Sequence, residues 1–200
     1  MLELDNTRIK DFKHCPRYYY FRHVKSWRQE GVGSPPMLFG TLWSLGMDAL
    51  WEHGTVEAGM AGFMEGWYRA GLTYPLPLAA QRLWGHHVPE TAKKMMPNYL
   101  RRMSTFLKNI TILSTDTCYI TPLTSTVEYI AKPDKVYRSE GRLCVMDHKS
   151  TGYGGKEGFT FSWSESWHLS AQIDGYAWTV GQHYKNKEVT INIDAALVSK

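Results

Sequence analysis

Residues 144–151, "CVMDHKST", read as an apolar strand that ends by presenting charge. Side chains alternate across a strand, so Asp147 and Lys149 are expected on one face and His148 on the other. Burying a carboxylate or an ammonium is costly unless the group is paired, neutralised or held by a metal. An isolated Asp-x-Lys at a strand end is by default an exposed ion pair of little energetic weight. The sequence on either side decides between that pair and a site.

Immediately upstream, "TSTVEYIAKPDKVY" (124–137) is β-prone and is joined to "RLCVMDHK" (142–149) by the turn-like "RSEG" (138–141). A hairpin between these strands brings Asp134, thirteen residues before Asp147, beside Asp147 and Lys149. Two carboxylates and the backbone carbonyl of His148 form an oxygen set suited to Mg²⁺ or Mn²⁺. A cation so held lowers the pKa of bound water and neutralises charge on a phosphoryl oxygen. A neighbouring lysine positions the water or stabilises the developing negative charge. Phosphodiester hydrolysis asks for this combination.

Downstream, the polar loop "STGYGGKEG" (150–158) fails the spacing of a nucleotide-binding loop, because Ser150 stands where the first Gly belongs and Glu157 follows Lys156. Ser164 to Tyr184 then reads as one long helix with Leu169, Gln172, Ile173, Tyr176 and Val180 on one face. Gln172 and Tyr176 lie one turn apart and can both face the site. Tyr176 reads equally well as a core residue with its hydroxyl satisfied. "EVTINIDAALVS" (188–199) closes the chain as a strand.

The first half reads differently. Asn6 or Thr7 is expected to cap a short helix with Ile9 and Phe12 on its inner face. "EGVGSPP" (30–36) reads as a loop, and helices follow over 38–51, with Leu38, Leu42, Leu45 and Ala49 in register and Gly54 as the stop, then over 57–70 and 90–109. His86 and His87 fall in the Pro- and Gly-rich connection before the last of these. The order of elements predicts an α/β fold, a mixed central sheet flanked by helices. It is expected as one domain over 1–200, with 1–120 mainly helical and 121–200 carrying the sheet and its helix.

Composition sets wider bounds. The chain of 200 residues is 43% hydrophobic, 14% aromatic and 21% charged, with net charge +4, which is compatible with a polyanionic partner. No apolar stretch reaches membrane-span length, and the start lacks the apolar core of a signal peptide, so a cytoplasmic location is expected. Cys15, Cys118 and Cys144 are far apart, which argues against a disulfide framework or a zinc ribbon. Arg17, Arg22 and Lys25 are interleaved with Tyr18, Tyr19, Tyr20, Phe21 and Trp27. Bases stack on aromatics while basic groups hold phosphates. The same pattern also describes a helix with one packed aromatic face and one solvated basic face.

"KPD" (132–134) followed by "MDHK" (146–149) resembles the signature of the PD-(D/E)XK nucleases. Four further segments are similar to the RecB-like exonuclease branch of that superfamily: "IKDFKHCPRYYYFRHV" (9–24), "LFGTLWSLGMDAL" (38–50), "VEYIAKPDKV" (127–136) and "QIDGY" (172–176). The resemblance implies a restriction-endonuclease-like core and a metal-dependent DNA nuclease of exonuclease type, acting in recombination, repair or phage DNA metabolism beside a helicase or recombination partner. Asp134, Asp147 and the His148 carbonyl would hold Mg²⁺ or Mn²⁺, with Glu128 as a supporting residue or second metal contact. Lys149, Gln172 and Tyr176 would be catalytic, and Arg17, Arg22 and Lys25 would contact DNA. The pattern is departed from at Ser44, where the branch commonly has a His that adds a metal contact. That departure raises the alternative of a nucleic-acid-binding or assembly module with little cleavage. Cys15 matches the first of four cysteines that hold an iron–sulfur cluster in some relatives, but no cysteine follows Cys144, so no cluster is expected. The stop at Lys200, where many relatives continue, implies a shortened version of the branch.

Overall fold

The computed structural model describes residues 1–27, 33–151, 159–165, 167 and 170–198. Residues 30–32 and 152–158 of the two expected loops, Arg28 and Leu169 lie outside these. The chain runs β1 (Leu2–Leu4), α1 (Asn6–His14), α2 (Pro16–Tyr19) with a π-helical turn (Tyr20–Val24), α3 (Pro35–His53), α4 (Val56–Arg69), α5 (Leu78–Trp84) and α6 (Pro89–Lys108). It continues through β2 (Ile110–Thr115), β3 (Tyr119–Pro122), β4 (Val127–Ala131), β5 (Lys135–Ser139), β6 (Arg142–Thr151), α7 (Phe161–Glu165), α8 (Ala171–Tyr184) and β7 (Val189–Leu197).

The expected hairpin forms between β5 and β6. Glu140 and Gly141 make its two-residue turn with φ of 50° and 78°, the doubly positive conformation that matches the twist of paired strands. Upstream, the expected single strand is broken. Lys132-Pro133-Asp134 divides it into β4 and β5, which belong to different sheets. Proline has no N–H for a ladder bond, so a strand interior does not continue through it. One sheet has the order β1-β4-β3 and the other β2-β5-β6-β7. In the second, β5 is antiparallel to β2 and β6, and β7 runs parallel to β6. The single mixed sheet expected from the sequence is therefore two mixed sheets. Three of their strands, β1, β2 and β3, begin within the segment expected to be mainly helical.

Strand β6 is buried on both faces from Leu143 to His148, which accounts for its apolar run. Cys144 and Met146 join Tyr137 in a core with α3, α4 and α6, while Leu143 and Val145 join Val136, Tyr176 and Val180 in a core beneath α8. The long helix expected from Ser164 is instead α7 and a separate α8 beginning at Ala171. At the other end of the chain, Asp5 rather than Asn6 or Thr7 caps α1, its carboxylate accepting from the Arg8 N–H at 2.7 Å. A negative charge there also suits the helix dipole. Ile9 packs inward as expected, but Phe12 is exposed.

Helix α3 ends at Gly54 in the left-handed conformation, as the sequence suggests. Its buried face is carried by Phe39, Leu42, Trp43, Met47 and Leu50, whereas Leu45 is exposed. Gly46 lets α4 approach, since a Cβ there would lie 2.6 Å from Met96 Cε and 2.9 Å from the carbonyl oxygen of Gly59. Gly46→Ala should therefore destabilise the protein by about 1–3 kcal/mol despite its better helix propensity. Equilibrium denaturation reads this directly, and a variant as stable as wild type would show that the helix pair can separate freely.

Candidate active site

The β5–β6 register pairs Lys135 with Met146. Asp134 and Asp147 lie one residue beyond this pair, Asp134 just before β5 and Asp147 within β6. The Asp134 Oδ2 oxygen accepts from the His148 N–H at 2.6 Å, and its Oδ1 accepts from the Ser44 hydroxyl of α3 at 3.4 Å. Asp147 points toward α8 and is only 2% exposed. Its Oδ1 faces two donors of that helix, Gln172 Nε2 at 3.4 Å and the Tyr176 hydroxyl at 3.4 Å. Its Oδ2 is buried without a well-directed hydrogen-bond donor among the described residues and meets the Lys149 ammonium as an ion pair. Lys149 is partly open to solvent and stands 5.3 Å from the Trp167 ring centroid.

Helix α8 serves the site through side chains one turn apart. Gln172 Nε2 donates to the Tyr176 oxygen at 2.6 Å, which fixes the amide beside Asp147. The Tyr176 hydroxyl also lies 3.2 Å from the Lys132 carbonyl, so the helix grips the crossing between the two sheets. Tyr176 is both a buried core residue and a member of the polar cluster, and burial first, then the Asp147 charge, pushes its pKa up. Two openings flank the cluster. A cleft of about 730 Å³ is lined by Gly40, His148, Lys149 and Ser150 among others, and one of about 360 Å³ is lined by Thr7, Lys132, Gln172 and Tyr176 among others.

Sequence reasoning gathers Asp134, Asp147, Lys149, Gln172 and Tyr176, and the structure brings these five together. Glu128 stands apart. It lies toward the start of β4, in register with Glu3 and Pro122, and none of the site's hydrogen bonds or ion pairs among the described residues includes it. Five residues lie between it and Asp134, three of them in β4, where the chain rises about 3.3 Å per residue. In the basic segment, Arg22 is committed within the chain, 3.2 Å from Asp11 and donating to the Tyr18 hydroxyl at 2.8 Å. Arg17 and Lys25 are exposed, each over an aromatic ring of the same segment. Cys15 Sγ accepts from the Tyr18 N–H at 3.5 Å and caps α2.

Sequence reasoning misses Asp194 and Tyr99. Asp194 Oδ2 lies 2.7 Å from His148 Nδ1 and accepts from the Tyr99 hydroxyl at 2.8 Å. An aspartate inside the apolar "INIDAAL" of β7 was the available signal, since a buried carboxylate needs partners. Asp48, one turn beyond Ser44, does not turn to the carboxylates. It pairs with the fully buried Lys135, whose ammonium is pulled down to about 7 by burial.

Among the described residues no group of three His, Cys, Asp or Glu side chains converges as metal ligands. A hard cation at this site would therefore draw on the two carboxylates, backbone oxygen and water, a donor set that suits Mg²⁺ or Mn²⁺. Burial raises the Asp147 pKa most, Asp134 raises it further, and Lys149 opposes both. With its folded pKa above the unfolded value, Asp147 contributes stability fully below the unfolded carboxyl range and loses it as pH rises through the folded pKa. In EDTA, Asp147→Asn should therefore melt higher than wild type at pH 7, with the difference vanishing near pH 4. Added Mn²⁺ should raise the melting temperature of wild type and not of the variant. Thermal melts across pH, with and without Mn²⁺, test both expectations.

No helix among the described residues is long and apolar enough to cross a membrane. No curated protein matches the chain at a significant level. The family model of the PD-(D/E)XK nuclease superfamily matches residues 5–200, the span that contains both strands and the helix of the site. With Asp134, Asp147 and Lys149 gathered at one hairpin end inside that match, the chain belongs to the PD-(D/E)XK nuclease superfamily.

Proposed function

We propose that this protein is a Mg²⁺- or Mn²⁺-dependent deoxyribonuclease, of the RecB-like exonuclease type, acting in recombination, repair or phage DNA metabolism. The observation that carries the reading is the convergence of a buried aspartate, a second aspartate and a lysine at the open end of the β5–β6 hairpin within the superfamily match. The branch is supported by the segments around Cys15-Pro16, Phe39-Gly40 and Gln172–Tyr176, which occur in the branch's order.

Asp134, Asp147 and the His148 carbonyl would hold the cation. When bound, a divalent cation lowers the pKa of water and offsets charge on the phosphoryl oxygen. Lys149, held against Asp147 with its ammonium partly open to solvent, orients the attacking water and stabilises negative charge as it develops. Gln172 orients that water or the lysine, and Tyr176 fixes the Gln172 amide. Arg17 and Lys25 lie on an exposed segment beside Tyr18 and Tyr20, a combination that holds phosphates and offers rings to bases.

A second reading is favoured by one observation. Ser44, where the branch commonly supplies a His, gives Asp134 a hydroxyl donor in place of an added metal contact. A protein with weakened cation binding would act as a DNA-binding or assembly module. Metal-dependent turnover of labelled DNA separates the two.

If the nuclease reading holds, Asp147→Asn should lower cleavage at least about a hundredfold while DNA binding survives or tightens, because a negative charge facing phosphate has gone. Lys149→Ala should lower cleavage similarly and leave Mn²⁺ affinity nearly unchanged, since an ammonium is no ligand. Wild-type cleavage by Asp147→Asn would end the reading. The double variant Arg17→Ala/Lys25→Ala should weaken DNA binding at all sequences and flatten its salt dependence by about one unit of slope for each phosphate no longer neutralised. An unchanged salt slope would remove this segment from the DNA path.

A further inference from the structure

The two residues that follow the site carboxylates turn to the opposite face of the sheet and share one partner. Lys135 follows Asp134 and His148 follows Asp147. The Lys135 ammonium lies 5.9 Å from the Trp51 ring centroid, and the His148 imidazole meets the same ring edge-on at 5.6 Å. Each is also clamped by a carboxylate from outside the hairpin. Asp48 of α3 pairs with Lys135, and Asp194 of β7, the register partner of His148, lies 2.7 Å from its Nδ1. The network then closes through Tyr99 of α6, whose hydroxyl donates to Asp194 at 2.8 Å and receives the Trp51 indole N–H at 2.9 Å.

The centre of this layer is buried, with the His148 side chain 1% exposed and Lys135 not exposed at all, while Asp48, Asp194 and Tyr99 are half-buried. Replacing buried charges with apolar groups is often neutral or stabilising, so stability does not by itself account for such a layer. A buried polar network does constrain geometry, because each member needs its partners in place. His148 is where that constraint meets the site. Its N–H holds Asp134 at 2.6 Å, and its carbonyl belongs to the same short stretch of main chain as Asp147. A side chain fixed at Nδ1 leaves the main chain on the other face of the sheet little freedom to tilt.

We propose that Asp194 is a positioning residue: through His148, and braced by Tyr99, it sets the main chain at Asp147–His148, to which Asp134 is hydrogen-bonded, and with it the affinity of the site for a divalent cation. The inference rests on the metal-dependent nuclease reading and deepens it. Removing a partner that orients the ligands without touching the metal typically lowers metal affinity or activity about 10–100-fold.

The test is a Mn²⁺ titration of the full chain, read by the spin-resonance signal of free Mn²⁺, with circular dichroism to establish folding. Wild type should bind Mn²⁺ and Asp147→Asn should not. Asp194→Ala should bind about 10–100-fold more weakly. Asp194→Asn, which keeps an oxygen able to accept from His148, should recover part of that loss. Tyr99→Phe should weaken binding several-fold in the same direction. In cleavage assays the Asp194 variants should lose kcat while the KM for DNA holds, since no DNA contact is removed. A folded Asp194→Ala with wild-type Mn²⁺ affinity overturns the inference, even if its melting temperature falls. Should that variant fail to fold, wild-type affinity in Tyr99→Phe overturns it instead. Absence of Mn²⁺ binding by wild type, or undiminished binding by Asp147→Asn, overturns the nuclease site itself and this inference with it.

Discussion

A carboxylate held almost out of water within a strand packed on both faces is the constraint on which the rest of the arrangement depends. Asp147 is costly to bury, and each group that offsets the cost comes from a different place in the chain. Lys149 comes from the same strand and Gln172 and Tyr176 from α8, whereas the second carboxylate, Asp134, adds to the cost. The supply of partners is incomplete, leaving one oxygen of Asp147 without a well-directed donor among the described residues. A buried acceptor in that condition is what a hard cation would satisfy.

The junction between the two sheets turns this local constraint into an architectural one. Pro133 ends β4 in one sheet, and the chain enters the other sheet immediately after Asp134. Asp134 is thus fixed by topology as well as by its hydrogen bonds to Ser44 and His148. Helix α8 secures the crossing from above, because the Tyr176 hydroxyl reaches both the Lys132 carbonyl and the Asp147 carboxylate. A tyrosine that reads from sequence as either core or site is both, its ring in the apolar cluster and its oxygen in the polar one.

The two faces of β6 divide the labour. Toward α8 it presents the polar cluster of the site; toward α3 it presents Cys144, Met146 and His148 to an aromatic core centred near Trp51. Strand alternation, which separates Asp147 from His148, therefore also separates the carboxylate cluster from the His148–Asp194–Tyr99 layer behind it. Helix α3 spans both, with Ser44 on Asp134 and Asp48 one turn later on Lys135.

By itself the sequence determined the hairpin, the shared face of Asp147 and Lys149, the pairing of Gln172 with Tyr176 and the superfamily. These depend on short-range rules: the period of two along a strand, the period of about 3.6 along a helix, and a turn that accepts positive φ at Glu140 and Gly141. Only the tertiary structure decided that 124–137 is two strands in two sheets, that Glu128 stands away from the carboxylates, and that Asp194 and Tyr99 brace His148. Those facts join residues as far apart as 99 and 194. No local periodicity carries such a contact, because it exists only once β7 has paired with β6 and α6 has packed behind it.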